Sequence, residues 1–340
     1  MSKSLFILGA TGYIGGSVLK GVLSTFSSQF TVTALVRSSS QFDAVRSFGV
    51  DNIIHGSHED LELVKSQSAK SDVVINCADA DDLPLTMAVL AGLKARSGSG
   101  EGESKPILIH TSGTGVVADQ AEGEFIPSAH KIWNDNNEDD IRSIPPEQPH
   151  RLIDLEIFHA DENGYLSAYI IAPSCIYGTG TGPVNKLSQQ VPGAIRIAIK
   201  RKEAVYIGKG TNKWNNVHIL DLVSLYTLVL QHALSLNTEN TEKTSPYAKF
   251  FFGSVQEHVW GDVIRQIGQI LHEKGVLEAR EAKSVTLDAV PSLRWVANNS
   301  RSSSDRGFAL GWRPKAPAIE ETLEEDVLAT LQKDGVKINA

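Results

Sequence analysis

Short continuous apolar runs alternate along the first half of the chain with segments whose apolar residues recur every third or fourth position. Leu5-Phe6-Ile7-Leu8 is apolar throughout and stops at Gly9, the pattern of a parallel strand covered on both faces. Ile14, Val18, Leu19, Val22 and Leu23 then recur at helical spacing, which predicts a helix opening near Tyr13. Strand patterns follow at residues 31–36, 52–54, 73–75, 107–109 and 169–171. Helical patterns lie between them at residues 42–48, 83–93 and 152–158. This alternation predicts an α/β fold, a Rossmann-type doubly wound parallel sheet.

The second half is less regular. An amphipathic stretch at 220–230, a strand-like Phe250-Phe251-Phe252 and helices near 263–271 and 319–331 are expected to build a smaller C-terminal cap lobe. The expected division is a dinucleotide-binding domain over 1–175 and a substrate-binding cap over 176–340, with about 205–232 returning to the first domain. Residues 97–105 read as a flexible surface loop, because a strand of the same sheet follows. The long, acidic, proline-bearing segment 119–149 is expected over or beside the ligand cleft, and 238–245 reads as a polar loop.

Composition narrows the function classes. With 340 residues, 41% hydrophobic and 21% charged, the chain is of ordinary globular type. Thirty-two basic against forty acidic residues leave a net charge of −8, which argues against a nucleic-acid partner. Cys77 and Cys175 supply neither a disulfide framework nor zinc-ligand spacing. The opening apolar run is too short for a signal-peptide core. The most apolar stretch, 217–236, contains His218, Asp221 and His232 and makes a poor membrane span. A cytoplasmic monomer or homodimer acting on a small-molecule substrate is expected, with no membrane partner and no metal. The oxygen-rich run 134–140 lacks the glycine of a calcium loop and is expected to be solvated.

Gly9-Ala10-Thr11-Gly12-Tyr13-Ile14-Gly15 stands between the first strand and the first helix. Glycines there permit a tight turn, close approach of main chain to a pyrophosphate, and packing of helix on strand. Unpaired amides at the helix start then hold the anion. The GxxGxxG spacing resembles that of short-chain dehydrogenases/reductases of the extended or atypical kind, relatives of nucleotide-sugar epimerases and dihydroflavonol reductases. The likeness continues through residues 72–78, His110-Thr111-Ser112-Gly113-Thr114-Gly115, Ala172-Pro173-Ser174-Cys175-Ile176-Tyr177-Gly178, Val217-His218-Ile219-Leu220-Asp221 and Leu310-Gly311-Trp312-Arg313-Pro314.

The resemblance implies a nicotinamide cofactor held by Gly9, Thr11, Gly12, Tyr13, Ile14, Gly15, Ala78, Thr111, Pro173, Ser174 and Ile176. Arg37 and Ser38 close the second strand where an acid would select a free ribose hydroxyl. A guanidinium and a hydroxyl suit a 2′-phosphate, so NADP(H) is expected rather than NAD(H). Substrate contacts are expected from Thr114, Tyr177, Trp214 and His218. For Trp214 the alternative is a core position, and for His218 and Asp221 a helix cap.

In the family a Ser or Thr after the fifth strand polarises the substrate oxygen, a tyrosine moves its proton, and a lysine four residues on tunes that tyrosine. Ser112 matches the first role. No Tyr-x-x-x-Lys lies between Ser112 and the sixth strand; its place is held by His150-Arg151-Leu152-Ile153-Asp154. Either Asp154 orients His150 as a near-neutral acid or base, or the two are a helix-start pair without chemistry. The expected activity is an NADP(H)-dependent oxidoreductase acting on a small organic carbonyl, alcohol or activated double bond. A catalytically silent NADP(H) sensor and a redox-neutral isomerase or lyase are the alternatives.

Overall fold

The computed structural model describes residues 2–26, 28–97, 104–129, 131–238 and 244–338. Most of the surface loop expected at 97–105, and part of that at 238–245, lie outside the described residues. In chain order the first half forms β1 (Lys3–Leu8), α1 (Tyr13–Phe26), β2 (Phe30–Val36), α2 (Phe42–Arg46), β3 (Asn52–His55), α3 (Leu61–Ser68), β4 (Val73–Asn76), α4 (Leu83–Ser97) and β5 (Ile107–Thr111). Then come β6 (Trp133–Asn134), α5 (Glu138–Arg142), α6 (Arg151–Glu162), β7 (Ser167–Pro173), β8 (Cys175–Tyr177) and α7 (Gln190–Arg201). The remainder is β9 (Val205–Ile207), β10 (Lys213–His218), α8 (Ile219–Thr238), β11 (Phe250–Gly253), β12 (Gln256–Val259), α9 (Trp260–Glu273), β13 (Lys283–Val285), β14 (Ser302–Ser303), α10 (Asp305–Leu310) and α11 (Ile319–Asp334).

Seven parallel strands lie in the order β11-β7-β5-β4-β1-β2-β3. Strand alternation assigns each side chain to a layer. Leu5 and Ile7 pack with Val18, Leu19 and Val22 of α1 and with Leu222, Leu225 and Val229 of α8. Phe6 and Leu8 face the opposite layer, with Val89 and Leu93 of α4 and Ile153 and Ile157 of α6. Apolar cover on both faces is what the unbroken apolar runs require.

β11 corrects one expectation. Phe250-Phe251-Phe252 belongs to the main sheet, beside β7, and not to the cap lobe. Phe251 joins the α1/α8 layer while Phe250 and Phe252 join the α4/α6 layer, so all three rings are buried by a two-faced strand. Leading into it, Ile219–Leu236 is long and apolar enough, by length and composition, to cross a membrane. Here α8 packs along α1 and β7 and buries Leu222, Leu225, Tyr226, Val229 and Leu230 in the sheet's core.

The chain leaves the main sheet at Ser174 and enters a three-stranded sheet, β12-β10-β8. A second core gathers there from Val191 and Ile195 of α7, Val263 and Ile267 of α9, and Leu323 and Val327 of α11. Segment 119–149 is fastened to that half: Asp119 accepts from Asn299, and β6 pairs with β14. Nor is its acidic run solvated throughout. Asp135 is fully buried and accepts the amides of Phe252 at 2.9 Å and Arg306 at 2.8 Å. Asn137 accepts Asp139 N–H at 3.1 Å at the start of α5, a side-chain cap for an otherwise unpaired amide.

Candidate functional site

The sheet order reverses between β1 and β4, so the loops after β1, β4 and β5 converge at one end of the sheet. Open α/β sheets bind ligands at such a crevice. The glycine turn after β1 divides its labour. Gly9 has φ +83°, and a Cβ there would lie 2.4 Å from the Cys77 carbonyl oxygen. A Cβ on Gly15 would lie 2.3 Å from Gly9 O. Both glycines are demanded by packing of turn on strand and helix. At Gly12 a Cβ would meet only Gly9 O, at 3.2 Å. Beyond that contact the space in front of Gly12 is open, beside the unpaired amides of the first turn of α1.

Thr11 and Ile14 stand on this turn, but Tyr13 turns away from it. Its hydroxyl donates to Gly178 O at 2.7 Å, and burial raises its pKa well above the usual tyrosine value. Asn185 N–H donates to Thr11 O at 3.1 Å and Thr181 N–H to Ser17 Oγ at 3.1 Å, so segment 178–186 lies across the start of α1. At the end of β2, Arg37 is exposed and makes no ion pair among the described residues, and Ser38 Oγ lies 2.8 Å from Ser40 Oγ. Ala78 follows β4, its amide donating to Asn76 Oδ1 at 3.2 Å.

The strand end at β5 holds the polar centre. Ser112 Oγ is 3.1 Å from Asp154 Oδ2, both buried. Asp154 Oδ1 has no partner. Burial pushes the Asp154 carboxyl up to about 7, against the pull of Arg151 and of the Ser112 hydrogen bond. Arg151 is also fully buried; its Nη2 donates to Ile141 O at 2.6 Å while Nε and Nη1 are unpartnered. His150 does not pair with Asp154. Its Nδ1 lies 2.7 Å from Oδ1 of Asp81, in the loop after β4. A Cβ on Gly113 would lie 3.0 Å from His150 Nε2, and one on Gly115 3.2 Å away, so the ring covers the turn just beyond Ser112. His150 opens α6 at φ +66°, in the left-handed region. A non-glycine residue held there is a strained one. Beneath it, burial pushes His110 down to about 3, with the neighbouring His150 acting in the same sense.

Comparison with known proteins agrees with this architecture. Residues 1–91 match the NmrA-like family and residues 150–241 the NAD dependent epimerase/dehydratase family. The dTDP-glucose 4,6-dehydratase of Bacillus anthracis in complex with NAD superposes with a TM-score of 0.68 at 15% identity, covering 99% of both chains. The UDP-glucose 4-epimerase of Thermotoga maritima with UDP-glucose gives 0.66 at 14% identity, over 97% of this chain and 99% of that one. The chain shares the fold of these dehydratase and epimerase structures. Among curated relatives, oxidase ucsJ of Acremonium sp is 28% identical over 99% of this chain and 100% of its own. Uncharacterized protein YLL056C of Saccharomyces cerevisiae is 27% identical over 79% of this chain and 80% of its own.

In this fold several expected ligand contacts are already engaged within the protein. Thr111 Oγ1 is 2.7 Å from Tyr226 OH and donates to Cys77 Sγ at 3.2 Å, which leaves only its main chain to a ligand. Ser174 Oγ donates to Gly253 O at 2.8 Å, tying β7 to β11 beyond Pro173. Ile176, in β8, packs against the α1/α8 core. Tyr177 OH donates to Pro317 O at 2.6 Å, and Trp214 Nε1 to Asn298 O at 2.9 Å from within the second core. His218 Nδ1 accepts Leu220 N–H at 3.2 Å at the start of α8, and Asp221 accepts the amides of Lys315 and Ala316. Tyr177 and Asp221 thereby tie β8 and α8 to the segment before α11, while Trp214 and His218 are satisfied locally. Thr114 differs: it is buried with Oγ1 unpartnered, one turn beyond Ser112. Asp81 went unnoticed in the sequence because nothing local marks it. Only the adjacency of β4 and β5 brings its loop to α6.

Proposed function

We propose that the protein is an NADP(H)-dependent oxidoreductase acting on a carbonyl, alcohol or activated double bond of a small organic molecule. The observation that carries this reading is the meeting, at one end of the sheet, of an open glycine turn at Gly12 with Ser112 and an imidazole oriented by a carboxylate. The Gly12 turn and the first amides of α1 would hold the pyrophosphate, and Arg37 with Ser38 the 2′-phosphate. When bound, the nicotinamide supplies or accepts hydride at its C4. Ser112 holds the substrate oxygen. His150 gives that oxygen a proton in reduction and takes one in oxidation, while Asp81 accepts from Nδ1 and leaves Nε2 facing the reacting group. This replaces the tyrosine–lysine pair with a histidine–aspartate pair drawn from two loops.

Titration of the purified chain with NADPH and NADH, followed by turnover against panels of ketones, aldehydes, enones and alcohols, tests the proposal. Tight NADPH binding with turnover supports it. The bond that occupies Ser112 with Asp154 favours a second reading, a cofactor-binding sensor; tight binding without turnover would establish that one instead.

A further inference from the structure

Asp154 stands where a family lysine would, yet its carboxyl hydrogen-bonds to Ser112 and not to the His150 ring. It is fully buried, its Oδ2 is 3.1 Å from Ser112 Oγ, and its Oδ1 has no partner. A serine hydroxyl carries one proton and two lone pairs. A carboxylate at Asp154 must take that proton, leaving Ser112 only lone pairs to offer the cleft. A neutral carboxylic acid at Asp154 donates to Ser112 instead and frees the serine proton to point outward.

Building on the oxidoreductase reading, we propose that Asp154 is a positioning residue whose protonation sets Ser112 as hydrogen-bond donor or acceptor toward a bound substrate, and so switches the site on or off in both directions. In reduction the substrate oxygen gains negative charge and needs a donor, so the neutral form of Asp154 works. Oxidation passes through the same transition state, with the same charge on the oxygen, so it too needs the neutral form. Neither residue is consumed: Ser112 lends a hydrogen bond, and the proton that moves is carried by His150. The groups facing Asp154 are Arg151 on its own helix, Ser112 at the end of β5 and Asp81 from the loop after β4. Arg151 and Ser112 favour the carboxylate, while burial and Asp81 oppose it, which brings the change to about 7. Ser112 has a single proton to place, so the change needs no backbone movement.

Infrared difference spectra of the chain without cofactor, from about pH 5 to about pH 9, test this directly. A protonated-carboxyl band should disappear near about 7 in the parent and be missing from Asp154→Asn. Asp135 and Asp326, also raised by burial, contribute equally to both proteins and cancel in the comparison. Ser112→Ala should move the Asp154 band to higher pH, because it removes a hydrogen bond that favours the charged form. A parent without an Asp154 band, or a band indifferent to Ser112→Ala, overturns the proposal. With cofactor and substrate, the rate of reduction in the parent should fall as pH rises above the midpoint, by up to about tenfold per unit. Asp154→Asn, whose amide does not titrate and can donate to Ser112 through Nδ2, should flatten that limb. An unchanged slope also overturns it. A parent that binds no NADP(H) or turns nothing over defeats the oxidoreductase reading alone, since the infrared result stands without either.

Discussion

His150 Nδ1 sits 2.7 Å from Asp81 Oδ1, across a sequence separation of 69 residues, and makes no side-chain contact with Asp154 one helical turn ahead of it. The left-handed backbone at His150 turns the ring out of the helix line and toward the loop after β4. Asp154 is thereby released to Ser112. Two carboxylates thus serve two different hydroxyl or imidazole groups at one strand end.

For turnover, His150→Phe should keep cofactor affinity and lose about 10²–10⁴ in rate, the usual worth of a positioned proton donor. Asp81→Asn should lose less, because it only orients the ring. Steady-state kinetics with any substrate found decide the matter. Normal turnover by His150→Phe would assign the residue a structural role and pass the proton to Ser112 or water.

The proposed preference for NADP(H) rests on Arg37. Arg37→Ala should weaken NADP(H) by about 1.5–3 kcal/mol, the worth of a charge-assisted hydrogen bond, and leave NAD(H) nearly untouched. Calorimetric titration with both cofactors measures the difference. Equal losses would place the 2′-phosphate elsewhere.

The three glycines of the turn should separate into two classes. Gly12→Val should remain folded and lose dinucleotide binding, because its Cβ meets only Gly9 O at 3.2 Å while the rest of the side chain enters the open cradle. Gly9→Ala and Gly15→Ala should unfold at lower temperature, since their Cβ atoms would lie 2.4 Å and 2.3 Å from backbone oxygens. Circular dichroism melts with binding assays resolve the classes; strong binding by folded Gly12→Val would contradict the cradle.

Asp135 ties segment 119–149 to β11 and α10 through two accepted amides. Asp135→Asn should cost about 1–3 kcal/mol in urea unfolding, because an amide nitrogen would face a buried N–H donor. It should also expose the segment to limited proteolysis. Burial raises the Asp135 carboxyl to about 7. Its folded value thus exceeds its unfolded one, and the stability linked to its proton is fully present only below the unfolded value of 3.8 and is lost as pH rises from there through about 7. The pH dependence of unfolding should therefore be shallower near neutrality in Asp135→Asn than in the parent.

Much of the architecture was legible in the chain. Apolar runs such as Leu5-Phe6-Ile7-Leu8, helical spacing from Ile14 to Leu23, the glycine turn, Ser112 and the absence of the tyrosine–lysine pair are all local patterns. A few residues decide them, through strand alternation, helix period and the sterics of glycine. Tertiary structure alone decided who faces whom. It placed Phe250–Gly253 in the main sheet, gave His150 to Asp81 and Ser112 to Asp154, and engaged Thr111, Ser174, Tyr177, Trp214 and His218 in holding the protein together. Residues that match a motif share their spacing with it. Whether a hydroxyl or imidazole is free for chemistry depends on buried partners that must be satisfied, and here parallel strand ends deliver those partners from distant parts of the chain.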